Sequence, residues 1–318
     1  KSHPNNRDRH MILLADIGAT NARFSVTTDC SQYEHYDNLQ VIGSSSLEKL
    51  CNDYLNRHQL ANKVNKAVIG VAAPIINDEV SFVNANISFS IQGLKKQFFK
   101  EGLIVTNDLA LQAHAIKGLK KSELSFIGLK KPQAKGPKLL VSPGTGLGMA
   151  GITDKEIIST EAGHLNIPKK ETKHDLKKII DTFVTSNKRV PTYEDFLSGK
   201  GIRYFYEILS EGKKSNLSSE EILDNKDMDE ACTNTKELLI YLLGSYLRYV
   251  ALVWGSTGGI YLSGSIVNSL ITKETYQNFR EVFEDSETMQ GLLKVIPLIL
   301  VTIDDIGFRG AIELSKKL

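Results

Sequence analysis

An aspartate ends the segment IVTND (residues 104–108), and the helix-forming run LALQAHAI follows it directly. This short β-branched run, bounded by Gly102 before it and by Asn107 and Asp108 after it, predicts a buried strand that passes into a helix. Asp108 is therefore expected at the carboxyl edge of a sheet, where open α/β sheets bind their ligands. A carboxylate there can take a proton from a substrate hydroxyl, and the adjacent helix N-terminus favours its charged form. The simpler alternative is that Asn107 or Asp108 only caps the helix.

Three turns of small residues could bind phosphate or a nucleotide, because such residues let backbone N–H groups approach anionic oxygens. They contain Gly18, Ala19, Thr20, Gly144, Thr145, Gly146 and Gly264. Asp16, just before the first turn, could hold Mg²⁺ through water, since Mg²⁺ prefers oxygen ligands and keeps much of its hydration. Each turn taken alone is more simply a plain hairpin. The sequence has no GxxxxGK motif followed by Ser or Thr and no strand-to-helix GxGxxG, which argues against P-loop and Rossmann sites.

Two further polar groups follow the second of these turns. Glu161 and His164 flank two small residues on a short loop, which gives two hydrogen-bonding side chains of the kind that bind sugar hydroxyls in a cleft. The alternatives for this pair are a zinc site or a plain surface loop, and no cysteine lies near His164 to support zinc. Glu194 adds a carboxylate near a predicted helix start, where helix capping is the simpler explanation.

The elements that must position these residues occur in two similar halves. Residues 11–15 and 138–141 are apolar strands that each run into a small-residue turn and a returning strand, which predicts two related β-hairpins. The stretch 117–138, rich in lysine, glycine and proline, is the natural domain boundary. The second half is mainly helical, with helices predicted over 176–185, 193–209, 235–254 and 310–317 and a polar insert over 215–230.

Length, composition and charge limit the classes of protein to which the chain can belong. The chain has 318 residues, enough for two domains, and its 41% hydrophobic and 24% charged residues are typical of a soluble globular protein. A net charge of +2 and short, diluted lysine stretches argue against a nucleic-acid face. The most apolar run, residues 238–254, is interrupted by Arg248, so no membrane span is expected. Three scattered cysteines favour a reducing compartment and a cytoplasmic location, and residues 1–10 are expected to form a flexible arm.

The ordered set of motifs resembles the bacterial-type glucokinases of the hexokinase–actin fold. The resemblance runs from about residue 11 to the end and rests on LLADIGATNARF, VNANISFSI, IVTNDLALQAHAI, SPGTGLGMA, TEAGHLNI, YEDFLSG, GGIYLSGSIV and DDIGFRGAIEL. It implies an α/β, duplicated actin/RNase H-like fold with a cleft between a small and a large domain. The small domain would comprise residues 11–118 plus roughly 308–318, and the large domain residues 119–307.

The resemblance also implies an activity and the residues that perform it. The enzyme would transfer the γ-phosphoryl group of ATP to the 6-hydroxyl of glucose, giving glucose 6-phosphate and ADP in the first step of glycolysis. Asp108 matches the catalytic base, Asp16 would hold Mg²⁺ through water, and a homodimer is implied. The sugar-binding residues would be Asn84, Asn107, Glu161, His164 and Glu194. The phosphate turn of the family matches Asp16 through Thr20.

Three positions depart from the family pattern, because Ala19, Ala162 and Ser265 stand where glycine is usual. A side chain makes a positive φ costly, so these backbones are expected to be right-handed or extended, and activity is expected to survive. The cysteine-rich zinc motif of the related ROK sugar kinases is missing after His164, where the chain reads LNIPKK. That sequence favours the zinc-free group.

Several alternatives stay open at this stage. The hexose could be mannose, fructose or N-acetylmannosamine, because motifs do not specify hydroxyl stereochemistry, and the donor could be ADP or polyphosphate. A non-catalytic sugar sensor or ROK-like transcriptional regulator would need a DNA-binding helix-turn-helix and a basic face, and only about ten polar residues precede the first strand. An actin-like ATPase would need neither Glu161 nor His164.

Overall fold

The computed structural model describes residues 11–18, 20–41, 43–44, 46–82, 87–128, 135–168, 173–212, 216–224 and 229–318, with the backbone alone at His174. The chain forms two compact units. Unit 1 comprises Lys1–Leu119 and Asp305–Leu318, and unit 2 comprises Lys120–Asp304.

The secondary structure alternates between strands and helices along the whole chain. The strands are β1 (Met11–Ile17), β2 (Asn21–Thr27), β3 (Glu34–Gln40), β4 (Val64–Val71), β5 (Ile75–Ile76), β6 (Glu79–Phe82), β7 (Ile87–Ser90), β8 (Gly102–Asn107), β9 (Leu124–Phe126), β10 (Lys138–Pro143), β11 (Leu147–Ile152), β12 (Ile157–Thr160), β13 (Gly259–Leu262) and β14 (Leu298–Val301). The helices are α1 (Leu47–Arg57), α2 (Ile91–Gln97), α3 (Asp108–Ala115), α4 (His174–Asn187), α5 (Tyr193–Phe196), α6 (Gly199–Leu209), α7 (Ser219–Asp224), α8 (Glu230–Trp254), α9 (Ser265–Leu270), α10 (Tyr276–Glu284), α11 (Gln290–Val295) and α12 (Ile306–Ser315). Short 3₁₀ turns cover Ile116–Gly118, Lys121–Glu123 and Ala162–His164.

Unit 1 is built on a sheet with the strand order β3-β2-β1-β4-β8. The first hairpin pairs β1 with β2 antiparallel, and β2 pairs with β3 in the same way. Strands β4 and β8 then add to β1 in parallel. The first predicted hairpin is therefore confirmed. The strand predicted over 104–108 is present as β8, but it ends at Asn107, and its residues after Gly102 are half-buried where a buried strand was predicted.

Unit 2 repeats this arrangement. Its sheet has the order β12-β11-β10-β13-β14-β9, in which β10, β11 and β12 are antiparallel neighbours and β13 and β14 add to β10 in parallel. The antiparallel strand β9 extends the far edge beside β14. The second predicted hairpin is thus confirmed, and each unit starts its sheet from a glycine-bearing hairpin.

The apolar run of β1 is buried on both faces of its sheet. Ile12 and Leu14 pack with residues of α3 and α12, whereas Leu13, Ala15 and Ile17 pack with the cluster that includes α1 and α2. Successive side chains of a strand point to opposite faces, so a strand covered on both sides needs a continuous apolar sequence. The run MILLA meets that requirement.

Two helix predictions in the second half are corrected by the structure. The single helix predicted over 193–209 is wrong, because the chain breaks between α5 and α6 where Ser198 accepts a hydrogen bond from the Gly201 N–H and caps α6. The polar insert predicted over 215–230 contains α7, whose Ile222 and Leu223 are buried. The predicted starts of α8 and α12 also lie several residues too late.

Helix α8 is long and apolar enough to cross a membrane, but 61% of its most apolar stretch is buried inside unit 2. Its core-facing side chains include Leu239, Leu243 and Leu247. Arg248, which interrupts the apolar run, donates to the Val282 carbonyl at 2.8 Å. These contacts identify α8 as a core helix of the unit.

Gly310 of α12 allows a close backbone approach to α3, the helix that starts at Asp108. A Cβ added at Gly310 would lie 1.8 Å from the Leu111 carbonyl oxygen, which is backbone and cannot rotate away. We expect Gly310→Ala to lower the free energy of unfolding by about 3 kcal/mol, the upper range for overpacking. Gly291→Ala in α11 is the matched control, since nothing lies within 4 Å of its added Cβ. Urea unfolding of both variants checks this, and equal stabilities would contradict the packing argument.

Candidate active site

Asn107 and Asp108 lie at the end of β8, where the strand passes into α3. The Asn107 Oδ1 atom accepts hydrogen bonds from the N–H groups of Leu109 at 2.9 Å and Ala110 at 3.4 Å. The Asp108 Oδ1 atom also accepts from the Leu109 N–H, at 2.9 Å. Helix capping, the simpler of the two roles considered for this pair, is therefore present. It also fixes both side chains at the strand end, with Asp108 half-buried.

The parallel pairing in unit 1 brings the first glycine turn to the same edge of the sheet as Asp108. Ile17, Val71 and Asn107 form one row across β1, β4 and β8. The turn after Ile17 and the helix start at Asp108 therefore leave the sheet side by side, about 10 Å apart, which is two inter-strand spacings. Within the turn, the Gly18 N–H donates to the Asn21 carbonyl at 2.9 Å and closes the hairpin.

Asp16 lies on β1 directly before that turn, with 18% of its side chain exposed. Burial raises the pKa of its carboxyl, and the positive charge of Arg23 lowers it, with Arg23 Nη1 at 3.8 Å from Asp16 Oδ2. The first turn of α12 lies against the same oxygen, since a Cβ added at Gly307 would be 2.8 Å from it. A partly exposed, hard oxygen donor of this kind suits a hydrated Mg²⁺ ion.

In unit 2, the three residues expected to bind sugar lie together. The His164 Nε2 atom is 3.7 Å from Glu161 Oε2 and 4.0 Å from Glu194 Oε1. These separations are too long for direct hydrogen bonds, so a hydroxyl group could be shared among the three. The side chains of Glu161, His164 and Glu194 are 73%, 59% and 34% exposed, so a ligand can reach them.

A short backbone pairing brings these residues together. The Tyr193 N–H donates to the Leu165 carbonyl and the Ile167 N–H donates to the Pro191 carbonyl, both at 3.0 Å. An isolated bridge joins Asn166 to Thr192 between them. The segment after His164 therefore runs antiparallel to the segment before Glu194, which carries the two groups to one place.

Glu194 is not the cap of its helix, which corrects the simpler reading of its position. Thr192 and Asp195 form the capping box of α5, and Arg189 holds Asp195 with two hydrogen bonds of 2.7 Å. Burial opposes ionisation of Asp195, but the hydrogen bonds from Arg189 and Thr192 outweigh it and lower its pKa. The roles of Arg189 and Asp195 were not predicted from the sequence, although the Thr-x-x-Asp spacing at 192–195 is typical of such a capping box.

The other carboxylate oxygen of Glu194 is tied to the second glycine turn. Glu194 Oε2 accepts a hydrogen bond from the Leu147 N–H at 2.9 Å, directly after Gly146. In the turn itself, the Gly144 N–H donates to the Gly146 carbonyl at 2.7 Å. The turn therefore uses the Gly144 N–H internally. Among the described residues, the N–H groups of Thr145 and Gly146 donate to no protein group.

The third glycine turn lies beside the second. The Ser263 N–H donates to the Val141 carbonyl at 3.1 Å, and a Cβ added at Gly264 would be 3.2 Å from the Pro143 carbonyl oxygen. Gly264 has φ +106°, which a residue with a side chain rarely adopts. Of the three turns expected to bind phosphate or a nucleotide, the two in unit 2 therefore lie next to each other.

Ala162 and Ser265, which stand where the family usually has glycine, are compatible with the backbone conformation at their positions. Ala162 starts a 3₁₀ turn and Ser265 starts α9, and neither has a positive φ, so the backbone conformation expected at these two positions is confirmed. Ala19 and Asn84 lie outside the described residues.

The described part of the chain contains no group of three or more His, Cys, Asp or Glu residues arranged to hold a metal ion. This finding does not support the zinc alternative for Glu161 and His164. It is compatible with Mg²⁺ that arrives on a nucleotide, because Mg²⁺ commonly takes only one or two protein carboxylates together with phosphate oxygens and water.

Comparison with known proteins identifies the class. A family model described as glucokinase matches residues 13–317. The glucokinase of Neisseria meningitidis serogroup C / serotype 2a is 30% identical over 319 residues, covering 98% of this chain and 96% of the relative. A crystal structure of glucokinase from an Antarctic psychrotroph superposes with a TM-score of 0.76 at 25% identity, covering 97% and 99% of the two chains. A ROK family glucokinase from Streptomyces griseus, in complex with glucose and AMPPNP, gives a TM-score of 0.67 at 14% identity, covering 97% and 100%.

The two repeated α/β units have the two-domain, actin-like fold of the sugar kinases. Within that class, the chain belongs to the glucokinase family, whose members phosphorylate glucose with ATP.

The burial of Asp16 predicts a stability cost that depends on pH. Because burial raises its pKa above the ordinary value of 3.8, the ionised carboxylate destabilises the fold at neutral pH and costs nothing well below pH 3.8. We expect Asp16→Asn to raise the Tm at pH 7, and the gain to shrink as the pH falls towards 3.8. Thermal unfolding at pH 7 and pH 4 measures this. Asp53→Asn, at an exposed position of α1, is the control. A Tm for Asp16→Asn below wild type at pH 7 would contradict the argument.

Proposed function

We propose that this glucokinase transfers the γ-phosphoryl group of ATP to the 6-hydroxyl of glucose, with Asp108 as the general base. The observation that carries the proposal is the position of Asp108, half-buried at the carboxyl end of β8 and fixed by the first turn of α3. A base held at one place can accept the hydroxyl proton as the oxygen attacks phosphorus. Such catalysis depends mainly on positioning and electrostatics.

The ring hydroxyls of the sugar would be bound by Glu161, His164 and Glu194. The support is their proximity, since His164 can donate to a hydroxyl that in turn donates to either carboxylate. Asn107 would contribute through its amide N–H₂ group, because its Oδ1 atom already caps α3. Asn84 stays a prediction from the resemblance.

The phosphates would lie against the turns of small residues, with Mg²⁺ bound to them. When bound, Mg²⁺ neutralises the phosphate charge that grows during transfer. Asp16 would hold the ion through water, which its partly exposed carboxylate allows. Thr145 and Gly146 would direct their backbone N–H groups at phosphate oxygens, whereas Gly18 and Gly144 would serve by permitting the turns.

ATP and glucose are the preferred substrate pair. The similar Streptomyces griseus enzyme was solved with glucose and the ATP analogue AMPPNP, and the family model is described as glucokinase. A coupled assay with MgATP and glucose, mannose, fructose or N-acetylmannosamine tests the choice of sugar, and ADP or polyphosphate in place of ATP tests the donor. Highest kcat/KM with glucose and ATP is expected. A higher value for another pair would reassign the substrate.

A homodimer and a cytoplasmic location are further parts of the proposal. The three cysteines Cys30, Cys51 and Cys232 are free thiols, which is compatible with a reducing compartment. The homodimer rests on the family resemblance. Light scattering after size-exclusion chromatography should give about twice the mass of 35.3 kDa, and the monomer mass would contradict it.

Asp108→Asn tests the base directly. Asparagine keeps an oxygen that can accept from the Leu109 N–H, so the cap and the Tm should persist, but it cannot take the proton. We expect kcat to fall about 10²- to 10⁴-fold with little change in the glucose KM. Asp181→Asn, on the exposed face of α4, is the matched control and should keep wild-type kcat. A kcat for Asp108→Asn close to that of the control would remove Asp108 from this role.

Glu194→Gln tests sugar binding. Glutamine can still accept from the Leu147 N–H, but it loses the charge that strengthens a hydrogen bond to a sugar hydroxyl. We expect the KM for glucose to rise roughly tenfold or more while the KM for ATP changes little. Glu207→Gln, on the exposed face of α6, serves as control. An effect on the ATP KM alone would assign Glu194 to the nucleotide instead.

A further inference from the structure

The helix that carries Glu194 is too short to be stable by itself. Helix α5 comprises the four residues Tyr193–Phe196, and the Leu197 N–H donates to the Tyr193 carbonyl at 2.7 Å to close its turn. Isolated helices of this length are marginal in water, because fixing the first turn costs more conformational freedom than one hydrogen bond offsets. The direction in which Glu194 points is therefore determined by the contacts that α5 makes with its surroundings.

Two buried aromatic side chains fix one side of α5. Tyr193 and Phe196 are 3% and 0% exposed, and both belong to the core of unit 2. Tyr193 packs on Tyr246 with ring centroids 4.9 Å apart. Glu194 and Asp195 lie between the two aromatic residues in sequence and are only half-buried, so polar contacts must hold them.

Asp195 makes the polar contacts that join α5 to the end of α4. Arg189, which follows the last turn of α4, donates from Nη1 and Nη2 to the two carboxylate oxygens of Asp195, each at 2.7 Å. The Thr192 N–H donates to Asp195 Oδ2, also at 2.7 Å. The Arg189 guanidinium lies over the ring of Phe183, 5.0 Å from its centroid, and Phe183 is part of the core. The ion pair therefore closes residues 189–195 into a loop that is anchored at α4.

This 189–195 loop contains the backbone pairing that brings Glu194 to His164. The isolated bridge at Thr192 lies within the loop and pairs it with the segment that follows His164. The 4.0 Å separation between Glu194 Oε1 and His164 Nε2 therefore depends on the shape of the loop. A bidentate pair of arginine and carboxylate fixes direction as well as distance, because its two parallel hydrogen bonds define one relative orientation.

We propose that Arg189 and Asp195 are positioning residues for the sugar, because their ion pair holds Glu194 at the place where it binds glucose. The proposal rests on the proposed function, since it assumes that Glu194 binds a ring hydroxyl. It extends the sugar site to two residues that do not touch the ligand. Their effect on glucose passes through the side chain of Glu194.

The competing account is that Arg189 and Asp195 form a surface ion pair that serves stability alone. The Arg189 side chain is 52% exposed, and exposed ion pairs contribute little to stability on average. In that account, loss of the pair would lower the Tm without a selective effect on glucose, whatever residue occupies position 194. A double-mutant cycle separates the two accounts, because an effect that passes through Glu194 disappears once its side chain is removed.

The experiment measures kcat and the KM values for glucose and ATP in wild type, Arg189→Ala, Glu194→Ala and the double variant. Arg189→Ala should raise the glucose KM about fivefold, the size expected for loss of one well-formed ion pair, with kcat and the ATP KM within twofold of wild type. Arg189→Lys keeps the charge but not the planar fork, so its glucose KM should lie between the two. In the Glu194→Ala background, Arg189→Ala should change kcat/KM for glucose by less than twofold.

Two further variants complete the comparison. Asp195→Asn keeps an acceptor for the Thr192 N–H but loses the charge that Arg189 binds, so it should raise the glucose KM by a similar factor. Arg203→Ala, at an exposed position of α6, is the matched control and should behave as wild type. Circular dichroism below the Tm checks that each variant is folded.

Three results would overturn the inference. These are a glucose KM within twofold of wild type in both Arg189→Ala and Asp195→Asn, an equal rise in the KM values for glucose and ATP, or the same factor for Arg189→Ala in both backgrounds. If Glu194→Ala does not fold or turn over glucose, Glu194→Gln is the background, and the factor must again be smaller than in the wild-type background. Failure of the proposed function would look different, since wild type would not phosphorylate glucose or Glu194→Ala would leave its KM unchanged.

Discussion

The parallel pairing of β1, β4 and β8 is the constraint on which the candidate site in unit 1 depends. It aligns Ile17, Val71 and Asn107 in one row, so the chain leaves the sheet after Ile17 and after Asn107 along the same edge. A slip of β8 by one residue would turn its side chains to the opposite face. The two proposed acidic functions follow from this register.

In unit 2 the corresponding hairpin, β10–β11, differs in the contacts that its turn makes. The turn after β10 is bound on one side by Glu194, through the Leu147 N–H, and on the other by the start of α6, through the Gly144 carbonyl. Glu194 also faces His164. A carboxylate proposed to bind sugar therefore also holds, by one hydrogen bond, the backbone proposed to bind phosphate.

Local sequence predicted the parts of the site that depend on local structure. The strand before Asp108 and the two glycine hairpins could be predicted because hydrophobic patterns and turn-forming residues determine structure within a few residues of themselves. The meeting of Glu194 with His164 depends on backbone pairing between segments about 25 residues apart in the sequence, which no motif encodes. Helix α7 was not predicted because its stretch of sequence is polar, and only the burial of Ile222 and Leu223 shows that a helix is anchored there.

The central claim is that Asp108 is the base for the primary hydroxyl of glucose. A crystal structure of the wild-type enzyme with glucose and a non-hydrolysable ATP analogue measures it most directly. We predict that an Asp108 carboxylate oxygen lies about 2.6–3.2 Å from the glucose O6 atom, the range for proton transfer through a hydrogen bond. An Asp108 carboxylate turned away from the sugar, with another carboxylate within that distance of O6, would contradict the account.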